Sequence, residues 1–274
     1  MIGRLITRVG VALLVTGALA APASADTIAF LSSSLYQYGS VGLTFTTTIA
    51  SLDQTAAIKT NWSAGADNAG GFAGYLNGAT TPTLFFCDDL FDYLSTQATT
   101  STPGVYTVSM VSGSGKLSSN AKTMTSTTSN ALNALLSNGE TFITAQSTTA
   151  TKAAASAAVQ VAVWALAYNG SSAAVTTTTN AFYLNSASDG TVITNANAFL
   201  TCAFGGTVSG ICSGWSISST QSVANYTLSG NQSVVGLAAN TTTTTGSTGV
   251  PEPGSMLLLG GALFGLAGLR RRRG

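Results

Sequence analysis

The chain of 274 residues contains no histidine. That removes the usual general base, the Ser-His-Asp triad and most zinc sites. Charge is scarce as well, at 7% of residues, where about a quarter is ordinary. What charge exists is unevenly placed. Between residues 26 and 250 only Lys59, Lys116, Lys122 and Lys152 are basic, against eight acids, leaving −4. Such a body has no basic face for phosphates, which sets nucleic acid aside. No phosphate-binding loop or GxGxxG follows a strand. No interior run reaches the ~18 apolar residues of a typical membrane span. The bulk is Ser, Thr, Ala, Gly and Asn, a neutral polar surface suited to β-structure because Thr is β-branched.

The ends carry much of what charge there is. Residues 1–25 place Arg4 and Arg8 before a short apolar run and Ala23-Ser24-Ala25 before Asp26. This is the layout of a secretory signal peptide cut after Ala25, and it implies the Sec translocon and signal peptidase. The other end, residues 250–274, runs from Pro251-Glu252-Pro253 through a short apolar helix (Met256 to Leu269) to Arg270, Arg271, Arg272 and Arg273. By the positive-inside rule the arginines stay cytoplasmic and the body lies outside. Pro-Glu-Pro, an apolar helix and an Arg cluster resemble the PEP-CTERM sorting signal of Gram-negative bacteria. The resemblance implies recognition near Pro251-Glu252-Pro253 by an exosortase. It implies transient anchoring in the inner membrane, then delivery to the cell surface or extracellular matrix, often with exopolysaccharide and biofilm.

Between the ends lie an expected mature body at 26–240 and a linker at 241–249, "TTTTTGSTG", with nothing apolar to bury. Residues 26–60 alternate enough for one or two strands, and 61–82, rich in Gly, Asn and Ala, read as loop. A strand is expected near Leu84 to Cys87, followed by an acidic turn, and another over 104–113. "SNALNALLSNG" (129–139) reads as a helix stopped at Asn138-Gly139. "TKAAASAAVQVAVWALAYNG" (151–170) is a second helix, again stopped by Asn-Gly. A short helix or turn near 180–186 and strands in "GWSISS", "NYTLSG" and "SVVGLA" complete the pattern. The expected fold is α+β: a β-rich, sandwich- or barrel-like body with a helical insert around 120–170.

Candidate chemistry is sparse. Asp88, Asp89 and Asp92 are the one acidic cluster; they lack the spacing and glycine of an EF-hand loop and read as a solvated turn. No metal and no cofactor is expected. Trp62, Tyr75 and Trp215 could stack on sugars, with core packing the other reading. A hydrolase is the weakest option. In an exported chain the three cysteines face oxidation. Cys202 and Cys212 flank a Gly-rich loop and are expected to form a disulfide, which leaves Cys87 over.

Gln160 is a second oddity: one amide in the apolar run "AAVQVAVW". A buried amide without hydrogen bonds costs about 1–3 kcal/mol. Trp164 and Tyr168 follow at i+4 and i+8 on the same helical face. One chemistry accounts for both oddities. A cysteine thiolate can attack the glutamine carbonyl and expel ammonia, leaving an internal thioester that dry walls protect. Phe86-Cys87 with Asp89 and Leu90, the Leu135–Gly139 stretch, and then Gln160, Ala162, Val163 and Trp164 resemble the thioester domains of bacterial surface adhesins. The resemblance spans about 85–170 and implies a β-rich core with a helical insert joined by a Cys87–Gln160 thioester. It further implies covalent, non-enzymatic attachment to amine- or hydroxyl-bearing surface or matrix polymers. Val159 stands where the family commonly has Thr. The alternatives are a structural matrix protein or carbohydrate-binding module in which Gln160 bonds a backbone carbonyl and Cys87 is a small core residue. A Cys87–Cys202 or Cys87–Cys212 disulfide is a further rival.

Overall fold

The computed structural model describes residues 25–31, 37–47, 64–90, 103–111, 113, 115–118, 121–215, 222–228 and 232–238. All of them fall in one compact unit that ends at Ala238. Among the described residues, two sheets and three helices make the α+β body. Strands β1 (Ala25–Phe30), β4 (Phe72–Leu76), β5 (Thr83–Cys87), β9 (Val234–Leu237), β8 (Val223–Thr227) and β6 (Gly104–Met110) close into a barrel in that order. Every pairing in it is antiparallel. The second sheet has the order β3 (Ala64–Ala69), β2 (Val41–Thr47), β7 (Phe182–Ala187).

The barrel is filled by rings. Phe30 meets Phe72, Phe85 and Tyr106 edge to face, and Phe85 meets Tyr226. Such contacts suit the charge distribution of aromatic rings, negative on the face and positive at the edge. Glycine makes room for them. A methyl at Gly74 would lie 2.9 Å from Ile28, and one at Gly236 would lie 2.8 Å from Phe85.

Helices α1 (Ser126–Thr144), α2 (Thr149–Tyr168) and α3 (Thr191–Ala203) pack on one another. α2 is the centre of the molecule, buried continuously from Ala154 to Tyr168 and touching both sheets. It is long and apolar enough to cross a membrane, but here it is a core helix. Its start is a capping box: Thr148 Oγ1 accepts from the Thr151 backbone, and the Thr151 hydroxyl accepts from the Thr148 backbone. Its end is the expected Asn169-Gly170, with Gly170 in the left-handed region at φ 65°. Its alanines let neighbours approach closely.

Several local expectations are corrected. Residues 61–82 hold β3 and β4 rather than a loop, and the helix or turn expected near 180–186 is strand β7 from Phe182 onward. The helix read at 129–139 does not stop at Asn138-Gly139; it runs on to Thr144. Gly139 serves a helix crossing instead, since a methyl there would lie 3.0 Å from Val159 of α2. α3 lies beyond the expected helical insert. The strands expected in "NYTLSG" and "SVVGLA" are β8 and β9; "GWSISS" lies mostly outside the described residues, as do the signal peptide, the linker and the sorting signal.

Replacing Gly236 by Ala forces a methyl against the Phe85 ring, which is locked by Phe30 and Tyr226. The variant is expected to lose about 1–3 kcal/mol of stability, read as a lowered denaturation midpoint.

Candidate functional site

Along its buried stretch α2 carries few polar side chains, and Ser156, Gln160, Tyr168 and the C-cap Asn169 each take hold of backbone at a strand end or loop. Ser156 Oγ accepts from Gly71 N at 2.8 Å. Asn169 accepts from Phe182 N and donates to Phe182 O, both at 2.9 Å, fixing the helix to β7. Gln160 makes the same reciprocal pair with the barrel. Its Oε1 accepts from Cys87 N at 2.9 Å and its Nε2 donates to Cys87 O at 2.6 Å. The two residues that stood out in the sequence, 73 positions apart, therefore meet through two opposed hydrogen bonds.

Cys87 is the last residue of β5, in register with Val234 of β9. It is 4% exposed and Gln160 is 1% exposed. Strand alternation puts Cys87 on the face of Phe85, whose ring packs inside the barrel. Burial, chiefly, and the charge of the nearby Cys87 push the Tyr106 hydroxyl up to about 12. Phe86 is buried beside Cys87, on the side of Leu84, where both would meet a methyl at Gly71.

The turn after Cys87 is not solvated, contrary to the sequence expectation. Asp88 is fully buried and Asp89 is 3% exposed. The turn is clamped from two sides. From α2, the Tyr168 hydroxyl accepts from Leu90 N at 2.9 Å and lies 3.4 Å from Asp88 O and 3.5 Å from Asp89 Oδ1. From the segment before β9, Gln232 donates to Asp89 O, the Ser233 hydroxyl donates to Asp88 Oδ1, and Ser233 O accepts from Asp88 N. Desolvation is the main cause that holds the Asp88 carboxyl well above its usual range; the Asp89 charge adds to it and the Ser233 bond opposes it. Asp88 Oδ2 has no hydrogen-bond partner. Desolvation, with the Asp89 charge second, raises the Tyr168 hydroxyl in the same way.

Trp164 sits between Gln160 and Tyr168 on one stripe of α2. Its ring lies 6.0 Å from Phe45 and 6.1 Å from Phe182, and Tyr168 packs on Phe182 as well. Its indole N–H is buried without a hydrogen-bond partner. The site is thus a buried, aromatic-walled place with the Cys87 thiol, the Gln160 carboxamide and the Asp88 and Asp89 carboxyls at its edge.

The cysteines divide as expected: Cys202 and Cys212 form the disulfide and Cys87 belongs to none. That removes the rival pairings of Cys87 with Cys202 or Cys212. Among the described residues no three His, Cys, Asp or Glu side chains come together as a metal site. Of the candidate sugar platforms, Trp215 stacks on Phe199 at 5.6 Å, so its face is taken by the core. Tyr75 lines an open groove of about 340 Å³ with Thr27, Ala29 and Thr80. Trp62, Asp92, Pro251 to Pro253 and Arg270 to Arg273 lie outside the described residues. Ser233, Gln232 and Tyr106 had not stood out; the one trace of the first two is a polar pair immediately before an apolar strand.

Residues 249–273 match the PEP-CTERM protein-sorting motif. The motif marks an exported surface protein, transiently anchored in the membrane and processed by an exosortase. A search of curated proteins finds no match to the chain. Among solved structures it is similar to the N-terminal thioester domain of the fibronectin-binding protein SfbI from Streptococcus pyogenes, at 12% identity and TM-score 0.36, over 73% of this chain and 92% of that one. It is also similar to the N-terminal thioester domain of a surface protein from Clostridium perfringens, at 11% identity and TM-score 0.36, over 72% and 99%. A third is the N-terminal domain of the Streptococcus pyogenes pilus tip adhesin Cpa, at 11% identity and TM-score 0.37, over 75% and 96%.

Two predictions follow from the clamp. A raised carboxyl pKa means that the folded state binds the Asp88 proton more tightly than the unfolded chain does. Stability is then greatest below the ordinary carboxylate pKa near ~4 and falls as pH rises toward the folded value. Glu140, raised by burial, has the same sign. Asp88→Asn keeps the acceptor for Ser233, so its unfolding free energy is expected to fall less steeply with pH than the wild type's in denaturant titrations from acid to neutral. Tyr168→Phe strands the buried Leu90 N–H and is expected to lose about 1–3 kcal/mol in the same titration.

Proposed function

We propose that the body is a single-use covalent adhesive of the cell surface or biofilm matrix. Cys87 Sγ attacks Gln160 Cδ, the Sγ–Cδ bond forms, the Cδ–Nε2 bond breaks, and nitrogen leaves as ammonia with the thiol proton. An amine or hydroxyl of a neighbouring polymer, on a matrix, host or adjoining cell, then displaces the thiol. The product is an amide or ester on Gln160 and a released Cys87 thiol. Because the acyl group is not regenerated, this is a stoichiometric linker rather than a turnover enzyme. Signal peptidase cleavage after Ala25 and exosortase processing near Pro251-Glu252-Pro253 deliver the body.

The observation that carries this reading is the reciprocal hydrogen-bonded pair between the Gln160 carboxamide and the Cys87 backbone. It restrains the carboxamide carbon beside the residue that bears the nucleophile, which is the main entropic obstacle to ring closure. Burial of both residues supports it, since water would hydrolyse an exposed thioester. A second reading is a structural matrix protein. It is favoured by Asn169, which makes the same reciprocal pair with Phe182, a residue with no nucleophile. On that reading both amides only fasten the helix.

Intact mass of the exported chain separates the two. The adhesive reading expects the mass of one ammonia to be missing, methylamine to add on incubation, and one thiol to become alkylatable as it does. Cys87→Ala and Gln160→Ala are expected to show none of these changes. A full, unmodified mass with Cys87 alkylatable after denaturation alone sinks the adhesive reading and leaves the structural one.

A further inference from the structure

Resting on that thioester, the geometry points to a two-donor oxyanion hole for the Gln160 carbonyl: the Cys87 main-chain N–H and the Trp164 indole N–H. Closing the bond and opening it with an amine both pass through a tetrahedral carbon at Gln160 Cδ. In each, the carbonyl electron pair moves onto Oε1, which becomes an oxyanion. It returns as the leaving group departs, ammonia on closure and the Cys87 thiol on opening. A buried oxyanion needs donors already in place, because no water is there to supply them.

One donor is present in the ground state. Cys87 N–H reaches Oε1 at 2.9 Å, within the 2.7–3.1 Å expected of an oxyanion donor. The nucleophile's own backbone therefore polarises the carbonyl that its side chain attacks. Sheet pairing fixes this amide, since Cys87 is held in register with Val234.

The second donor is the Trp164 indole. A buried N–H without a partner is rare and calls for an explanation. Trp164 stands one helical turn after Gln160, and long side chains on a helix lean back over the preceding turn. On the same stripe of the helix the residues one turn to either side, Gln160 and Tyr168, both bond the Cys87–Leu90 segment. Its ring is seated by Phe45 and Phe182, which orient it without using the N–H. A tetrahedral Oε1 carries a full negative charge and one more lone pair than the ground-state amide oxygen, and the indole N–H is the donor assigned to it.

The test replaces the donor and keeps the ring. In the exported chain, Trp164→Phe and an isosteric benzothienyl residue at position 164, in which sulfur stands for N–H, are compared with wild type. The readouts are the fraction closed after export, the rate of methylamine addition to the closed fraction by intact mass, and the melting temperature. Loss of one oxyanion donor typically slows such a step by about 10²–10³-fold. The inference expects a slowing of at least about tenfold in both variants, or failure to close, with the benzothienyl variant melting like wild type. Methylamine addition at the wild-type rate in the benzothienyl variant overturns the indole's role. A wild-type chain that never loses ammonia shows instead that no thioester forms, and takes this inference down with it.

Discussion

Everything in the body depends on one helix being soluble inside a protein. α2 is almost wholly apolar and buried, yet it must be fixed in rotation and height between two sheets. Hydrophobic contact alone does not do this, because an alanine-rich cylinder can slide and turn at little cost. The solution is a short series of polar side chains that each capture backbone left over at a strand end or loop. Ser156 takes Gly71, Gln160 takes Cys87, Asn169 takes Phe182 and Tyr168 takes Leu90. Each such group is expensive to bury alone and inexpensive when paired, so the set specifies one register and penalises the others. The Cys87–Gln160 pair is embedded in that structural scheme and uses the same kind of bond.

How much of this could be read from the sequence differs by scale. The closeness of Cys87 and Gln160 was legible, because each was conspicuous in its own surroundings and one chemistry explained both. The C-terminal end of α2 was legible as well, since Gly170 of Asn169-Gly170 takes the left-handed conformation that such a stop requires. Asn138-Gly139 has the same letters and the opposite meaning. There the glycine makes room for Val159 at a helix crossing, information held by the partner helix and not by the local segment. β4 was hidden for a related reason: Gly74 makes room for Ile28, and its presence dilutes the alternation that marks a strand. β3, with little strand propensity of its own, is held by pairing with β2 along its whole length.

The acid pair misled for a physical reason. Two adjacent aspartates look like water-facing residues, because burying a carboxylate is costly. The fold reduces that cost by shifting the Asp88 carboxyl toward its protonated form and by giving the turn partners from α2 and from the segment before β9. Those partners lie 145 residues away in sequence for Ser233, beyond any local pattern. The contrast with Cys87 and Gln160 is instructive. Cys87 and Gln160 could be paired from sequence because one proposed reaction links their side chains, whereas nothing in the sequence links Asp88 to Ser233, although both pairs meet through hydrogen bonds in the fold.

The ladder between β5 and β9 has a mechanical meaning for a protein addressed to a surface. β9 runs from Val234 to Leu237, and Cys87 stands opposite its first residue. On the adhesive reading, tension applied beyond Leu237 enters at the far end of β9, and a load borne near Cys87 is carried lengthwise along the two antiparallel strands. That is shear rather than peeling. The rungs at Phe85, Phe86 and Cys87 share the pull at once instead of opening one by one. β8, on the other side of β9, adds a second ladder in parallel. The strand that leads out of the body is thus gripped on both edges, as a tether must be if its last few residues are to hold under flow.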